Sequence, residues 1–147
     1  MKNILWHLWI LIPLLLACDK ETDPLKLELT VGNECEQRAI VDQELYENET
    51  SFFLLIEELE IIDDCLRVKY SSSGCTAESW NLRLIGSQYV AYSYPPQRNI
   101  RFVLENNELC EAHFTREMTF DISPFRSNDE AMLLNVIGTE HQLMYPN

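Results

Sequence analysis

Apolar and polar residues alternate with a period of two along most of this chain. Leu25, Leu27, Leu29 and Val31 alternate with Lys26, Glu28 and Thr30, which predicts a half-buried first strand ended by Gly32-Asn33. Residues 33–50 are polar and acidic apart from Ala39-Ile40-Val41, so a long connection with one short strand is expected there. Within residues 51–62 two patterns compete. Phe52, Leu55, Ile56 and Leu59 fit a helical face that Thr50 or Ser51 would cap, whereas Leu59 and Ile61 alternate with Glu58 and Glu60. Asp63-Asp64 then reads as a turn into Leu66, Val68 and Tyr70, with Arg67 and Lys69 facing the other way. We read a hairpin of two strands, about 53–62 and 65–71, in preference to a helix.

The same period continues. Ser71-Ser72-Ser73-Gly74 is a loop that delivers Cys75, and Trp80, Leu82 and Leu84 mark a strand that stops at Gly86-Ser87. Residues 89–94 form another strand, closed by Pro95-Pro96 because proline cannot donate to a ladder. Ile100, Phe102 and Leu104 mark the next, up to the Asn106-Asn107 turn. A long strand with Phe114, Met118 and Phe120 follows and ends at Ser123-Pro124. Ser127-Asn128-Asp129 turns the chain, residues 132–137 form a strand, and residues 142–145 form the last. Short strands with turns every eight to twelve residues or so predict an all-β fold, an antiparallel β-sandwich (immunoglobulin-like or similar) of about eight strands.

The first 17 residues depart from this pattern. Lys2 precedes an apolar run from Ile4 to Leu16, too short at about a dozen residues for a transmembrane helix of roughly 20, and Ala17 follows as in a secretory signal. Leu15-Leu16-Ala17-Cys18 resembles the lipobox of bacterial lipoproteins. The resemblance implies cleavage before Cys18 and attachment of two or three acyl chains there, where one alone would bind a membrane only marginally. The expected organisation is a signal peptide at 1–17, a lipidated Cys18 with an acidic tether at 18–24, and a sandwich domain at 25–147. Acidic residues directly after the lipidated cysteine resemble the surface-export signal of Bacteroidota lipoproteins. The plainer reading is a solvated linker on either face of the outer membrane.

Without the leader the chain keeps 24 acids against 10 Lys and Arg, about −14. That balance argues against nucleic acid or an anionic membrane surface as a partner. Setting Cys18 aside leaves Cys35, Cys65, Cys75 and Cys110, an even number suited to an oxidising compartment. Three pairings are open; we take Cys75 with Cys110, and Cys35 with Cys65 as the second pair. No CxxC pair occurs, so neither a structural zinc site nor a redox motif is expected.

From about Asp64 onward the chain resembles a group of uncharacterised small lipoproteins of the Bacteroidota. The resemblance rests on Asp64-Cys65-Leu66, Ser73-Gly74-Cys75, Trp80, Pro95-Pro96-Gln97-Arg98, Glu108 with Cys110 and Ala112, and residues 120–124 (Phe-Asp-Ile-Ser-Pro). It implies a small extracytoplasmic β-domain and brings no activity with it.

Few residues suggest chemistry. His113 and His141 share no face with a further ligand, no G-x-S-x-G elbow surrounds the serines, and Asp63-Asp64 lacks EF-hand spacing. We therefore expect no catalytic residue, metal or cofactor. The candidate binding surface is Tyr92, Tyr94 and Arg98 beside a stiff Pro-Pro, since exposed aromatics with an arginine typify interfaces and suit stacking on sugars. The expectation is a membrane-anchored, non-enzymatic interaction module with a protein partner in the cell envelope. The alternative is a small-ligand or glycan-binding lipoprotein using the tyrosines.

Overall fold

The computed structural model describes residues 35–126 and 131–146. The leader, Cys18, the tether, the strand expected at 25–31 and the turn expected at 127–129 lie outside them. Two sheets face each other. One has the order β1-β7-β4-β3, built from β1 (Gln37–Arg38), β3 (Leu55–Ile62), β4 (Cys65–Gly74) and β7 (Ala112–Asp121). The other has the order β2-β5-β6-β8-β9, built from β2 (Ile40–Val41), β5 (Asn81–Ala91), β6 (Gln97–Glu105), β8 (Met132–Val136) and β9 (Gln142–Tyr145). The fold is an all-β sandwich.

Alternation places the core. Leu66, Val68, Tyr70 and Phe120 of the four-stranded sheet are fully buried against Leu82, Leu84, Ile100, Leu104, Met132 and Leu134 of the five-stranded one. Phe102 and Phe120 meet across the gap with ring centres 5.9 Å apart. Each such side chain contributes roughly 1.5–3 kcal/mol by leaving water. The β3–β4 hairpin forms as the alternation predicts, with Ile62 opposite Cys65 and Asp63 at φ 54° in the two-residue turn, a left-handed position that aspartate tolerates. Both expected disulfides are present, Cys35–Cys65 and Cys75–Cys110.

Four features differ from the expectation. Ser71-Ser72-Ser73-Gly74 is not a loop but the end of β4, paired with β7 up to Gly74 opposite Ala112. The sheets are mixed rather than antiparallel: β1 with β7, β2 with β5 and β6 with β8 run parallel. Parallel neighbours need a long crossover, and β7 supplies it for β6 and β8 by returning through the opposite sheet. Gly86-Ser87 does not end a strand. β5 runs on to Ala91 through a bulge in which residues 86 to 90 oppose only 100 to 98 of β6. Finally, a short helix, α1 (Gln43–Asn48), interrupts the 33–50 connection, started by the Asp42 carboxylate accepting from the Leu45 N–H at 2.9 Å. It lies over the outer face of β5 and β6, where Arg83 forms a two-pronged pair with Glu49 (3.0 and 3.2 Å) and Arg101 donates to the Tyr46 carbonyl at 2.8 Å.

Candidate functional site

The bulge in β5 is built from inside and outside at once. From inside, the guanidinium of Arg98 donates to the Ser87 carbonyl and lies over the Phe125 ring, 5.9 Å from its centre. From outside, the Gln43 side-chain carbonyl accepts from Ser87 Oγ at 2.9 Å and from the Gln88 N–H at 3.1 Å. Ser87 Oγ in turn accepts from the Tyr89 N–H at 3.0 Å. Gly86 is required here, because a Cβ on it would sit 2.5 Å from Phe125 Cε1. The result projects Tyr89 outward, 73% exposed.

The arginine is thus part of the scaffold. Arg98 is only 8% exposed, and burial lowers its pKa from the usual arginine value. It does not share a surface with the tyrosines as the sequence suggested, since its neighbours Gln97 and Asn99 take the outward positions of β6 and leave it on the core side. Tyr92 and Tyr94 are fully exposed, in the connection that follows β5 and not in a strand. The Tyr94–Pro95 peptide in that connection is cis.

Next to these tyrosines, strand register assembles a group of residues that no local motif announces. Across β6, β8 and β9, Asn99 lies opposite Asn135 and Asn135 opposite Gln142. One step along, Ala91, Gln97, Leu133 and Met144 form a parallel row on the same outer face. Asn135 is the hub. Its amide nitrogen donates to Gln97 Oε1 and Asn99 Oδ1, both at 3.2 Å, and its Oδ1 accepts from Gln142 Nε2 at 3.0 Å. Two open clefts flank this row. One, of about 430 Å³, is lined by Gln43, Tyr46, Tyr89, Gln97, Asn99 and Asn135 among others, and none of its lining residues is charged. The second, of about 370 Å³, shares Gln97, Asn99 and Asn135 and runs to Gln142, with Glu140 and His141 lining it too.

Two other polar clusters are structural. Glu108 fills a concavity of backbone donors, accepting from the N–H groups of Thr76 (3.0 Å), Ala77 (3.1 Å) and Cys75 and from Ser79 Oγ (2.8 Å). Desolvation opposes its ionisation, but these donors together outweigh it and hold the carboxyl down to about 2. Asp64 accepts from Tyr145 Oη and from Arg126, whose guanidinium stacks 4.9 Å from the centre of the Tyr145 ring. The Tyr145 hydrogen bond, and then Arg126, lower the Asp64 carboxyl against a partial desolvation; burial and the same bond to Asp64 raise Tyr145 well above the usual tyrosine range. Asp64 therefore ties the β3–β4 turn to β9. Among the described residues no group of three or more His, Cys, Asp or Glu is placed to hold a metal ion.

Sequence reasoning missed Gln97, Asn99, Asn135 and Gln142. The available signal was weak: one amide pair at period two in β6, and a lone Asn135 between Leu134 and Val136.

No protein-family model and no curated protein matches the sequence. Among solved structures, a protein of unknown function (DUF1344) from Bacteroides vulgatus ATCC 8482 aligns with 76% of this chain and 56% of its own, at 14% identity and a TM-score of 0.51. A protein provisionally described as toxin-related, from Parabacteroides distasonis ATCC 8503, aligns with 76% of this chain and 59% of its own, at 14% identity and a TM-score of 0.44. This chain spans less than two thirds of either. Its structural neighbours are Bacteroidota proteins, and the likeness to the Bacteroides vulgatus protein is one of fold.

Proposed function

We propose that this chain is a lipid-anchored, non-enzymatic binding module of the outer membrane, presenting the outer face of its five-stranded sheet to a ligand or partner. One observation carries the reading: Tyr89 and the larger, uncharged cleft occupy a single face of a chain with 24 acids and 11 Lys and Arg. Exposed tyrosines offer large, rigid contact area at low entropic cost, and Tyr92 and Tyr94 follow directly in the connection after β5. The lipobox residues supply the anchor, and the acidic tether 19–23 holds the domain off the bilayer.

Two experiments test it. Exchange of Cys18 for Ser should release the protein from the membrane fraction, and unchanged retention would count against the anchor. A photoreactive residue in place of Tyr92, in the tagged and lipidated protein on intact cells, should trap a partner that Tyr92→Ser and Tyr94→Ser variants fail to retain in a pull-down. Protease shaving of the same cells distinguishes the two faces of the membrane, because resistance would exclude surface display.

A further inference from the structure

We infer that the amide row on β6, β8 and β9, with Tyr89 beside it, is a binding site for a neutral glycan. This rests on the reading of that sheet face as the binding surface and assigns its ligand. A carboxamide has two N–H donors and one carbonyl acceptor with two lone pairs. Asn135 spends both donors on the carbonyls of Gln97 and Asn99, and one lone pair on Gln142. Those bonds fix which way each amide points. The Gln97 and Asn99 carbonyls are engaged by the hub, so their NH₂ groups are the ends left to face outward, and neither nitrogen has a partner among the described residues. Gln142 keeps its carbonyl and one N–H. The row thus offers donors and acceptors side by side, already oriented, which lowers the entropic cost of binding.

Hydroxyl groups are the matching chemistry, because each both donates and accepts. Charge narrows the choice. The larger cleft has no charged lining residue, and only the smaller one includes Glu140 and His141, so a charged ligand lying over Gln97, Asn99 and Asn135 in the larger cleft finds no counter-charge there, and burying one would be costly. A purely apolar ligand would leave the amides unpaired. The tyrosine ring supplies what remains, an apolar face with a polar tip for the C–H side of a sugar. A protein partner fits less well: protein interfaces gather aromatic residues, Met and Arg at an apolar centre, whereas here four carboxamides hold the centre and Leu133 and Met144 stand in the row beside them. The two clefts, about 430 and 370 Å³, lie in the range of roughly 300–1,000 Å³ usual for ligand sites.

The test is affinity electrophoresis of the full lipidated chain in neutral detergent, through gels containing a neutral α-glucan, a neutral β-glucan or a galactomannan. Polygalacturonate and heparin serve as anionic counterparts. At least one neutral polymer should retard the chain, with little change up to about 0.5 M salt, where exposed charge interactions are screened. Asn135→Ala should weaken that retardation by about tenfold or more, the scale of one or two lost hydrogen bonds. Tyr89→Ala, at an exposed position that the fold does not need, should do the same. Arg67→Ala on the opposite sheet should change nothing. Retardation by the anionic polymers alone, or by neutral ones undiminished in both variants, would overturn the assignment. So would absence of any retardation. In that last case the photocrosslinking above separates the two readings: a trapped protein leaves the face as a binding surface with a different ligand class, and nothing trapped removes both.

Discussion

The two outer faces of this sandwich solve the same problem differently. On the four-stranded sheet the outward residues are charged and satisfy one another. Arg67 pairs with Glu60, Lys69 lies 3.3 Å from Glu58 and 3.9 Å from Glu57, and Glu117 stands opposite Lys69 on β7. On the five-stranded sheet, beyond the ion pairs that hold α1, the centre of the outer face is neutral: the amides joined through Asn135, the apolar Leu133 and Met144 in the next row, and Tyr89 on the bulge. Long charged side chains at a surface are mobile and well solvated, so the first face resists adhesion and protects edge strand β3 from pairing with another chain. The second face is oriented by the hub amide and by the buried arginine beneath it. In so acidic a chain, the region from which charge has been withheld is the one suited to contact with a ligand.

The comparison breaks most severely at the support of the neutral face. Phe125 is fully buried, receives the Arg98 guanidinium and packs on Gly86. Phe125→Ala should cost about 3–5 kcal/mol, the usual range for an aromatic removed from a core, measured as a lower urea midpoint at unchanged slope. The bulge that carries Tyr89 should loosen with it, seen as faster amide exchange at Ser87 to Tyr89. An intact bulge in that variant would show that Gln43 alone holds it. Gly86→Ala approaches the same contact from the other side. Its Cβ would overlap the Phe125 ring, and overpacking of this kind costs about 1–3 kcal/mol. A thermal melt unchanged from the parent would mean that the ring moves aside freely.

Gly86-Ser87 also shows where the chain could and could not be read from its sequence. The β3–β4 hairpin was legible because alternation and the Asp-Asp turn are local; the even cysteine count predicted two disulfides but left three pairings open, of which the one taken is the one present. The bulge was not, because a Gly-Ser pair looks the same whether the strand ends or buckles; the Phe125 ring, 39 residues later, and Gln43, from α1, decide it. The amide row was hidden for a similar reason. Gln97, Asn99, Asn135 and Gln142 lie on three strands, and the parallel pairing of β6 with β8 depends on β7 crossing to the other sheet. Arg98 was misplaced because stiff prolines beside it suggested exposure, whereas the parity of β6 turns it inward.

A charge held by fixed donors, unlike the mobile ion pairs of the four-stranded face, is tested by pH. The Glu108 carboxyl is held down to about 2, against an ordinary 4.5. A folded-state pKa below the unfolded one contributes stability that is present above the unfolded value and is lost as pH falls through the folded value. Stability should therefore decline between about pH 4.5 and pH 2 in the parent chain. Glu108→Gln should flatten that part of the profile. Equal profiles for parent and Glu108→Gln would show that the backbone N–H groups of the 75–77 turn find water as readily as the carboxylate.

The smallest effect tests the other half of the comparison. Glu60 and Arg67 face each other directly across β3 and β4, with side chains about half exposed (53% and 46%). Proximity alone would suggest a strong pair. Solvent screening and the entropy of holding two flexible side chains argue otherwise, and exposed pairs are worth about 0–1 kcal/mol. A double-mutant cycle of Glu60→Ala and Arg67→Ala should thus return a coupling below about 1 kcal/mol, fading at about 1 M salt as the screening length falls to about 3 Å. A larger, salt-resistant coupling would mean that the charged face is as rigidly organised as the neutral one. The absence of charge would then no longer single out the amide row, and the case for that row would rest on hydrogen-bond geometry alone.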